Sequence, residues 1–251
     1  HHLTGPRSGP RPGPRRDLPP RHSGNILLHA REFRNKGACS MVKLDILSDP
    51  ICPWCYIGKS YLDRALAAAP DHPFTIEWHP FQLNPEMPAD GMDRRAYLEG
   101  KFGGKEAAIQ AYLPVHEHAE TAGLELHLDK ITRTPNTLDA HRLIHWAGIE
   151  GKQTAAVSAL FKAYFVEGRD IGDHDTLADI ADGLEIDASV ILRLLQSDSD
   201  AQDIRDREAA ARDMGVTSVP TFIVDGKHAV PGAQPPELWA KVIAEIREKS
   251  A

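Results

Sequence analysis

The stretch Ser48-Asp49-Pro50-Ile51-Cys52-Pro53-Trp54-Cys55-Tyr56 sets two thiols one helical turn apart directly after an apolar strand pattern. Two intervening residues let the sulfurs meet as a disulfide when the first cysteine caps a helix and the second sits in its first turn. The start of a helix leaves backbone N–H groups unpaired and carries the positive end of the macrodipole, so the Cys52 thiolate is expected to be stabilised there. Cys52 is the expected nucleophile. Cys55, a turn deeper, is the expected resolving thiol, placed to attack a mixed disulfide formed on Cys52. The pair could instead supply half of a zinc site, which takes four ligands. No second C-x-x-C or C-x-x-H follows, and Pro53 with Trp54 between the cysteines suits a redox pair better. No metal is expected.

Upstream of the motif, Val42, Leu44 and Ile46 alternate with Lys43 and Asp45, the pattern of a strand entering a buried sheet. Downstream, apolar residues recur at helical spacing from Pro53 to about Ala68. Pro53 stands in the first turn, where a missing N–H costs nothing, and Pro70 ends the run. Phe74, Ile76 and Trp78 then alternate with Thr75, Glu77 and His79 as a second strand, which a right-handed crossover places parallel to the first. From Asn84 to Gly215 no strand pattern stands out. Helices are expected near Asp93–Phe102, Gly104–Ala122, Asn136–Trp146, Thr154–Glu167, Thr176–Gly183, Ala188–Gln196 and Asp200–Met214. Strand character returns at Thr221-Phe222-Ile223-Val224, turns at Asp225-Gly226, and runs back to Val230 as a hairpin. A last amphipathic helix, Pro235 to Lys249, turns Leu238, Trp239, Val242, Ile243 and Ile246 inward. The expected class is α/β, with an all-helical domain inserted between a βαβ unit and a C-terminal ββα unit. The expected parts are residues 41–83 with 215–251 for the sheet domain, and 84–214 for the insertion.

Ser218-Val219-Pro220-Thr221 places an X-Pro bond immediately before a β run, 168 residues after Cys52. Proline cannot donate to the sheet ladder, so it fits the start of a strand. If the bond is cis, the Val219 backbone is left to pair with an extended substrate beside Cys52. Pro53, Trp54 and Val219 are therefore expected to contact substrate.

The 251 residues carry a net charge of −7. Residues 1–40 hold eight Lys/Arg against Asp17 and Glu32, leaving −13 on residues 41–251. So acidic a body argues against nucleic acid as a partner. No run of about 18 apolar residues is present, so no membrane span is expected. The first forty residues hold six prolines and five glycines with only one short apolar run, and are expected not to fold. They read as vector-derived or translated upstream sequence, with Met41 as the natural start. Three cysteines, Cys39 among them, cannot build a secreted disulfide scaffold, and with no export signal a cytoplasmic location is expected. His141 and His145, four apart on one expected helix, could chelate a metal, but helix surface or pocket lining is the favoured role. His116 and His118 are expected to be solvated. Trp54, Tyr56, Phe81 and Trp146 could line an apolar cleft around the thiols, although aromatics at helical spacing are more often core.

Taken together, strand, C-x-x-C, helix, strand, helical insertion, then Val-Pro-Thr before a hairpin and a last helix resemble the DsbA family of thioredoxin-fold proteins. The wording Ser-Asp-Pro-Ile-Cys-Pro-Trp-Cys-Tyr-Ile-Gly-Lys is similar to the FrnE-like branch, as are Asn136-Thr137 with Ala140-His141-Arg142 and Gly232-Ala233-Gln234-Pro235-Pro236. The likeness spans Val42 to about Lys249. It implies a thioredoxin-like domain interrupted by helices, a nucleophilic Cys52, a resolving Cys55 and a cis Pro220 facing them. Asn136 and His141 are carried along as candidate substrate-binding residues. The chain departs from DsbA in having Trp54 where DsbA has histidine, and Ile46 where DsbA has a buried acid. An indole N–H stabilises a thiolate less than an imidazolium, so a weaker oxidant is expected. Kappa-class glutathione transferases and 2-hydroxychromene-2-carboxylate isomerases also resemble this architecture, but they hold serine where Cys52 stands. The expected activity is thiol-disulfide exchange on protein or small-molecule disulfides, with a glutathione-dependent isomerase or transferase as the alternative. A non-catalytic holdase is a third possibility, which would survive Cys52→Ser. No tightly bound cofactor is expected; electrons come from a thiol pool, of which glutathione is one candidate. A monomer or a homodimer is expected.

Overall fold

A computed structural model describes residues 41–250, with side chains through Lys249. The expectations for residues 1–40 lie outside the described residues. Strand β1 (Val42–Ser48) leads into helix α1 (Pro53–Ala68) and strand β2 (Phe74–Pro80). β1 and β2 pair in parallel, Leu44 opposite Ile76 and Ile46 opposite Trp78, which completes the βαβ unit read from the alternation. The sheet is finished more than 140 residues later by β5 (Thr221–Val224) and β6 (His228–Pro231), giving the order β2-β1-β5-β6. β5 runs antiparallel to β1, with Ile46 opposite Phe222. The β5–β6 turn runs through three residues between the paired Val224 and His228; Asp225 (φ 55°) and Gly226 (φ 64°) are both left-handed, and the Lys227 amide closes it on the Val224 carbonyl at 3.1 Å. Helix α9 (Pro236–Ser250) closes the chain. Its Trp239 and Ile243 are buried and its Leu238, Val242 and Ile246 pack against the core as expected.

Between β2 and β5 lie α2 (Arg94–Phe102), α3 (Lys105–Thr121), α4 (Leu138–Ile149), α5 (Gln153–Phe165), α6 (His174–Gly183), α7 (Ala188–Leu195) and α8 (Ala201–Asp213). Asp93, Asp173 and Asp187 accept hydrogen bonds from first-turn amides of α2, α6 and α7, the capping chemistry that starts helices there. One correction concerns strands. Met92–Asp93 (β3) and Arg133–Thr134 (β4) form a two-residue antiparallel ladder inside the helical region. A ladder of two pairs has no room for an alternating pattern, so periodicity could not reveal it.

The insertion is tied to the sheet by apolar packing and by two polar clamps. Leu44, Ile46, Trp78 and Phe222 of the sheet share one buried cluster with Leu143, Leu160, Phe161 and Phe165 of the helices. Gln153 at the start of α5 accepts from the Trp78 amide at 2.9 Å and donates to the Trp78 carbonyl at 3.1 Å, so a side chain satisfies the outer edge of β2. The buried Arg142 donates to the carbonyls of Leu194, Ser197 and Ser199, at and just beyond the C-terminal end of α7, and to Asp139 at 2.7 Å. On its own side of the sheet, α1 presses on the corner before β5. A methyl group placed on Gly58 would stand 3.1 Å from Pro220 Cγ and 3.3 Å from Ala233 Cα, so these neighbours would have to give by a few tenths of an ångström. Gly58→Val should overpack this contact and destabilise the fold by about 1–3 kcal/mol, measured as a lowered midpoint of urea unfolding.

Candidate active site

Cys52 is the N-cap of α1 with extended backbone, and Pro53 follows in the first turn. Cys55 then enters the helix, its amide donating to the Cys52 carbonyl at 3.1 Å. Both thiols are free and buried. The Val219–Pro220 bond is cis, and the Cys52 thiol donates to the Val219 carbonyl at 3.7 Å. Two further bonds fix that corner: the Thr221 hydroxyl donates to the Ser218 carbonyl at 2.8 Å, and the Gly232 amide to the Pro220 carbonyl at 2.8 Å. Residues 52, 55, 219 and 220, separated by the whole helical region in sequence, thus meet at one place.

Around the thiols the aromatics divide. Trp54 is half-buried, its ring edge-on to His118 with centroids 5.2 Å apart. His118, exposed as expected, also meets the Tyr61 hydroxyl of α1 at 3.2 Å. Tyr56 stacks on Phe161 and Phe165. Phe81 and Trp146 are core. The Trp146 indole donates to Asp200 at 2.8 Å, and the Arg212 guanidinium lies 4.2 Å over the Phe81 ring.

Asn136 and His141 do not stand on an open face. The Asn136 side chain is committed to the Met87 carbonyl at 2.7 Å and to the Leu138 amide at 2.9 Å. His141 is buried beneath the dithiol turn, away from the helix surface, and lines a small cavity beside Ser48. Its Nε2 has no hydrogen-bond partner and lies 3.9 Å from Asp49 Oδ1. His145 points elsewhere, toward Arg207 at 3.4 Å, so the i, i+4 histidines do not chelate together. The other tight grouping of histidine with acids among the described residues is Asp45, Glu77 and His79. There the Lys43 ammonium already bridges Asp45 at 2.9 Å and Glu77 at 2.8 Å, which makes it an ion-pair network.

Asp49 is the feature that the sequence pattern did not single out. It sits in the turn between β1 and α1, fully buried, where Ser-Asp-Pro reads as ordinary turn chemistry. Its carboxylate accepts from the Leu83 amide at 2.7 Å and the Ile51 amide at 3.4 Å. Burial nevertheless dominates these bonds and pushes its pKa up to about 7. Burial acts oppositely on His141, whose pKa is pushed down to about 4, so the imidazole is neutral. The Cys55 thiol is held well above its ordinary value, by burial first and by the Cys52 sulfur next. The Asp49 backbone amide and the Ser48 hydroxyl face that sulfur and work the other way.

A helix start set against a cis-proline corner on a four-stranded mixed sheet is the arrangement of a thioredoxin-like fold. The match of residues 43–244 to the model of the DSBA-like thioredoxin domain places the chain in that family. The uncharacterised protein YwbO of Bacillus subtilis is 27% identical over 211 residues, covering 83% of this chain and 98% of YwbO. The crystal structure of the probable DsbA oxidoreductase SCO1869 from Streptomyces coelicolor is 29% identical with a TM-score of 0.74, over 84% of this chain and 92% of that one. A 2-hydroxychromene-2-carboxylate isomerase (TM-score 0.65, 82% of this chain, 97% of that one) and the cytosolic disulfide reductase DsbM from Pseudomonas aeruginosa with glutathione (0.59, 82% and 99%) are each 17% identical and share the fold.

The buried acid and imidazole leave opposite marks on stability. Asp49, protonated more readily when folded, stabilises the fold below its ordinary value of 3.8 and loses that contribution as the pH rises to about 7. His141, held neutral, stabilises above its ordinary 6.5 and loses that contribution as the pH falls to about 4. In the wild type the two offset each other between those limits. Asp49→Asn should unmask the histidine, so that unfolding free energy climbs with pH from 4 to 6.5 by up to about 1.4 kcal/mol per unit, measured by urea melts across that range.

Proposed function

We propose that this protein is a thiol-disulfide oxidoreductase acting on protein or small-molecule disulfides. The observation that carries this is the meeting of the Cys52 sulfur with the Val219 carbonyl of the cis-proline corner, 3.7 Å apart. Cys52 at the helix start, where unpaired amides favour an anion, attacks the substrate disulfide. Val219 offers main-chain groups to an extended substrate beside that sulfur, and Pro53 and Trp54 border the approach. Cys55, buried behind Cys52, attacks the mixed disulfide, releases the substrate thiol and leaves the dithiol oxidised. No metal or flavin takes part in these steps, and a thiol pool resets the pair. Glutathione is the proposed thiol co-substrate, a choice supported by its presence with the similarly folded DsbM. The proposed location is the cytoplasm, supported by the few cysteines and by the cytosolic name of that relative. No helix among the described residues is long and apolar enough to cross a membrane.

The shared fold of the isomerase favours a second reading, glutathione-dependent isomerisation or transfer. Cys52 counts against it, since that class uses serine there. Insulin reduction with glutathione as reductant, paired with equilibration of the Cys52/Cys55 couple in glutathione buffers, separates the two. Cys52→Ser should abolish insulin reduction, and Cys55→Ser should trap substrate as a mixed disulfide visible by mass spectrometry. A couple that never oxidises while a glutathione conjugate accumulates would hand the function to the second reading. Chaperone activity that survives Cys52→Ser, with insulin reduction lost from the start, would point to a non-catalytic holdase.

A further inference from the structure

Arg94, the first residue of α2, is only 7% exposed, yet it makes no ion pair among the described residues. Its guanidinium gives one N–H to the Tyr164 hydroxyl at 3.1 Å and another to the Tyr112 hydroxyl at 3.3 Å. The remaining donors, Nε among them, have no partner among those residues. The two rings hold the guanidinium in place, their centroids 5.7 and 5.9 Å from its carbon, but add no formal negative charge. Nor does the Tyr164 hydroxyl: burial pushes its pKa up to about 12, and its proton goes to the Arg133 carbonyl at 3.2 Å. Arg142, the other buried arginine among the described residues, differs, because the Asp139 carboxylate meets its charge at 2.7 Å. A buried cation calls for a counter-charge. For Arg94 none of the described residues supplies it.

Arg94 lines an open groove of about 690 Å³ formed by α2, α3 and the segment after α3. That is ample for a small molecule. Its walls are largely aliphatic, with Leu98 of α2, Ile109 and Leu113 of α3, and Ile131. Ile109 and Leu113 are 51% and 47% exposed, unusual for side chains of their size one helical turn apart. Two further cations, Arg95 and Lys105, line the groove and likewise make no ion pair among the described residues. Two acids line it as well, and one of them, Asp93, already accepts from the Ala96 amide at 2.9 Å. The lining thus carries an excess of positive charge beside aliphatic surface, with the most buried of its cations unneutralised.

We propose that this groove binds an alkyl carboxylate, whose head pairs with the Arg94 guanidinium and whose chain lies along Leu98, Ile109 and Leu113. The head follows from the donors that Arg94 has left. A carboxylate matches the planar fork of a guanidinium and brings the missing charge. The tail follows from the walls, since an alkyl chain laid on Ile109 and Leu113 takes their apolar surface out of water. A bare inorganic anion would leave that surface wet, and a neutral chain would leave the guanidinium unpaired. None of Cys52, Cys55, Val219 and Pro220 lines the groove, so the site goes beyond the thiol chemistry and does not rest on it.

The test is an NMR titration of the full chain with octanoate, with 1-octanol and acetate as controls. Octanoate should saturate a single site, and each control should bind about tenfold more weakly or worse. Arg94→Met, which keeps the apolar stem and removes the charge, should weaken octanoate about tenfold or more and bring it to the level of 1-octanol. Cys52→Ser should bind octanoate as the wild type does. Three results overturn the proposal: a wild type that octanoate does not saturate below its micelle concentration, 1-octanol binding as tightly as octanoate, or a folded Arg94→Met protein with wild-type affinity. Loss of octanoate binding in Cys52→Ser also overturns it, by placing the ligand at the thiols. Should Arg94→Met fail to fold, intermolecular nuclear Overhauser effects in the wild type decide. Contacts from the octanoate chain to Leu98, Ile109 and Leu113 support the site, and contacts confined to residues outside the groove overturn it.

Discussion

Everything at the thiols depends on β1 being paired along both edges. Its parallel partner β2 comes from the next few dozen residues, whereas its antiparallel partner β5 arrives only after seven helices. The register Leu47 opposite Thr221 sets the start of β5 level with the end of β1. The residues just before β5, Val219 and Pro220, are thereby delivered to the residues just after β1, Asp49 to Cys52. Main-chain ladders position both halves of the site, and the side chains add chemistry to a geometry already fixed. Gly58 completes the arrangement by letting α1 close onto Pro220.

The helical region does more than fill the gap between β2 and β5. Through α4 it places His141 under the dithiol turn, and through Gln153 it finishes the exposed edge of β2 with a side-chain amide. Arg142 shows the same economy. One guanidinium caps the carbonyls at the end of α7 and spans 4.9 Å to the Trp146 ring. Such a buried cation is tolerable because carbonyls and the Asp139 carboxylate meet its donors.

What the amino-acid order announced was whatever depends on local periodicity. The alternation of Val42, Leu44 and Ile46, the helical spacing after Pro53 and the Asp225-Gly226 turn each carry their structure within a few residues. The dithiol and the Val-Pro-Thr corner were legible for the same reason: each is a short pattern with a chemical meaning. Asp49 was not, because an aspartate before a proline has a sufficient explanation as a turn residue, and only burial from distant elements changes its chemistry. His141 stood out, but its burial did not. Spacing to His145 says which residues share a helix, not which face meets a carboxylate of the β1–α1 turn. Gly58 carried no signal either, since a helical glycine is read from its neighbours in space.

The direction of β1 has a practical corollary for handling the molecule. Val42 opens the strand at the base of the sheet, with its amide bound to the Pro73 carbonyl, and the thiols follow its other end. Seven residues at about 3.3 Å each put roughly 20 Å between them. A bead, fluorophore or fusion partner joined ahead of Met41 would therefore attach at the pole opposite the sulfurs, leaving the reactive end facing outward.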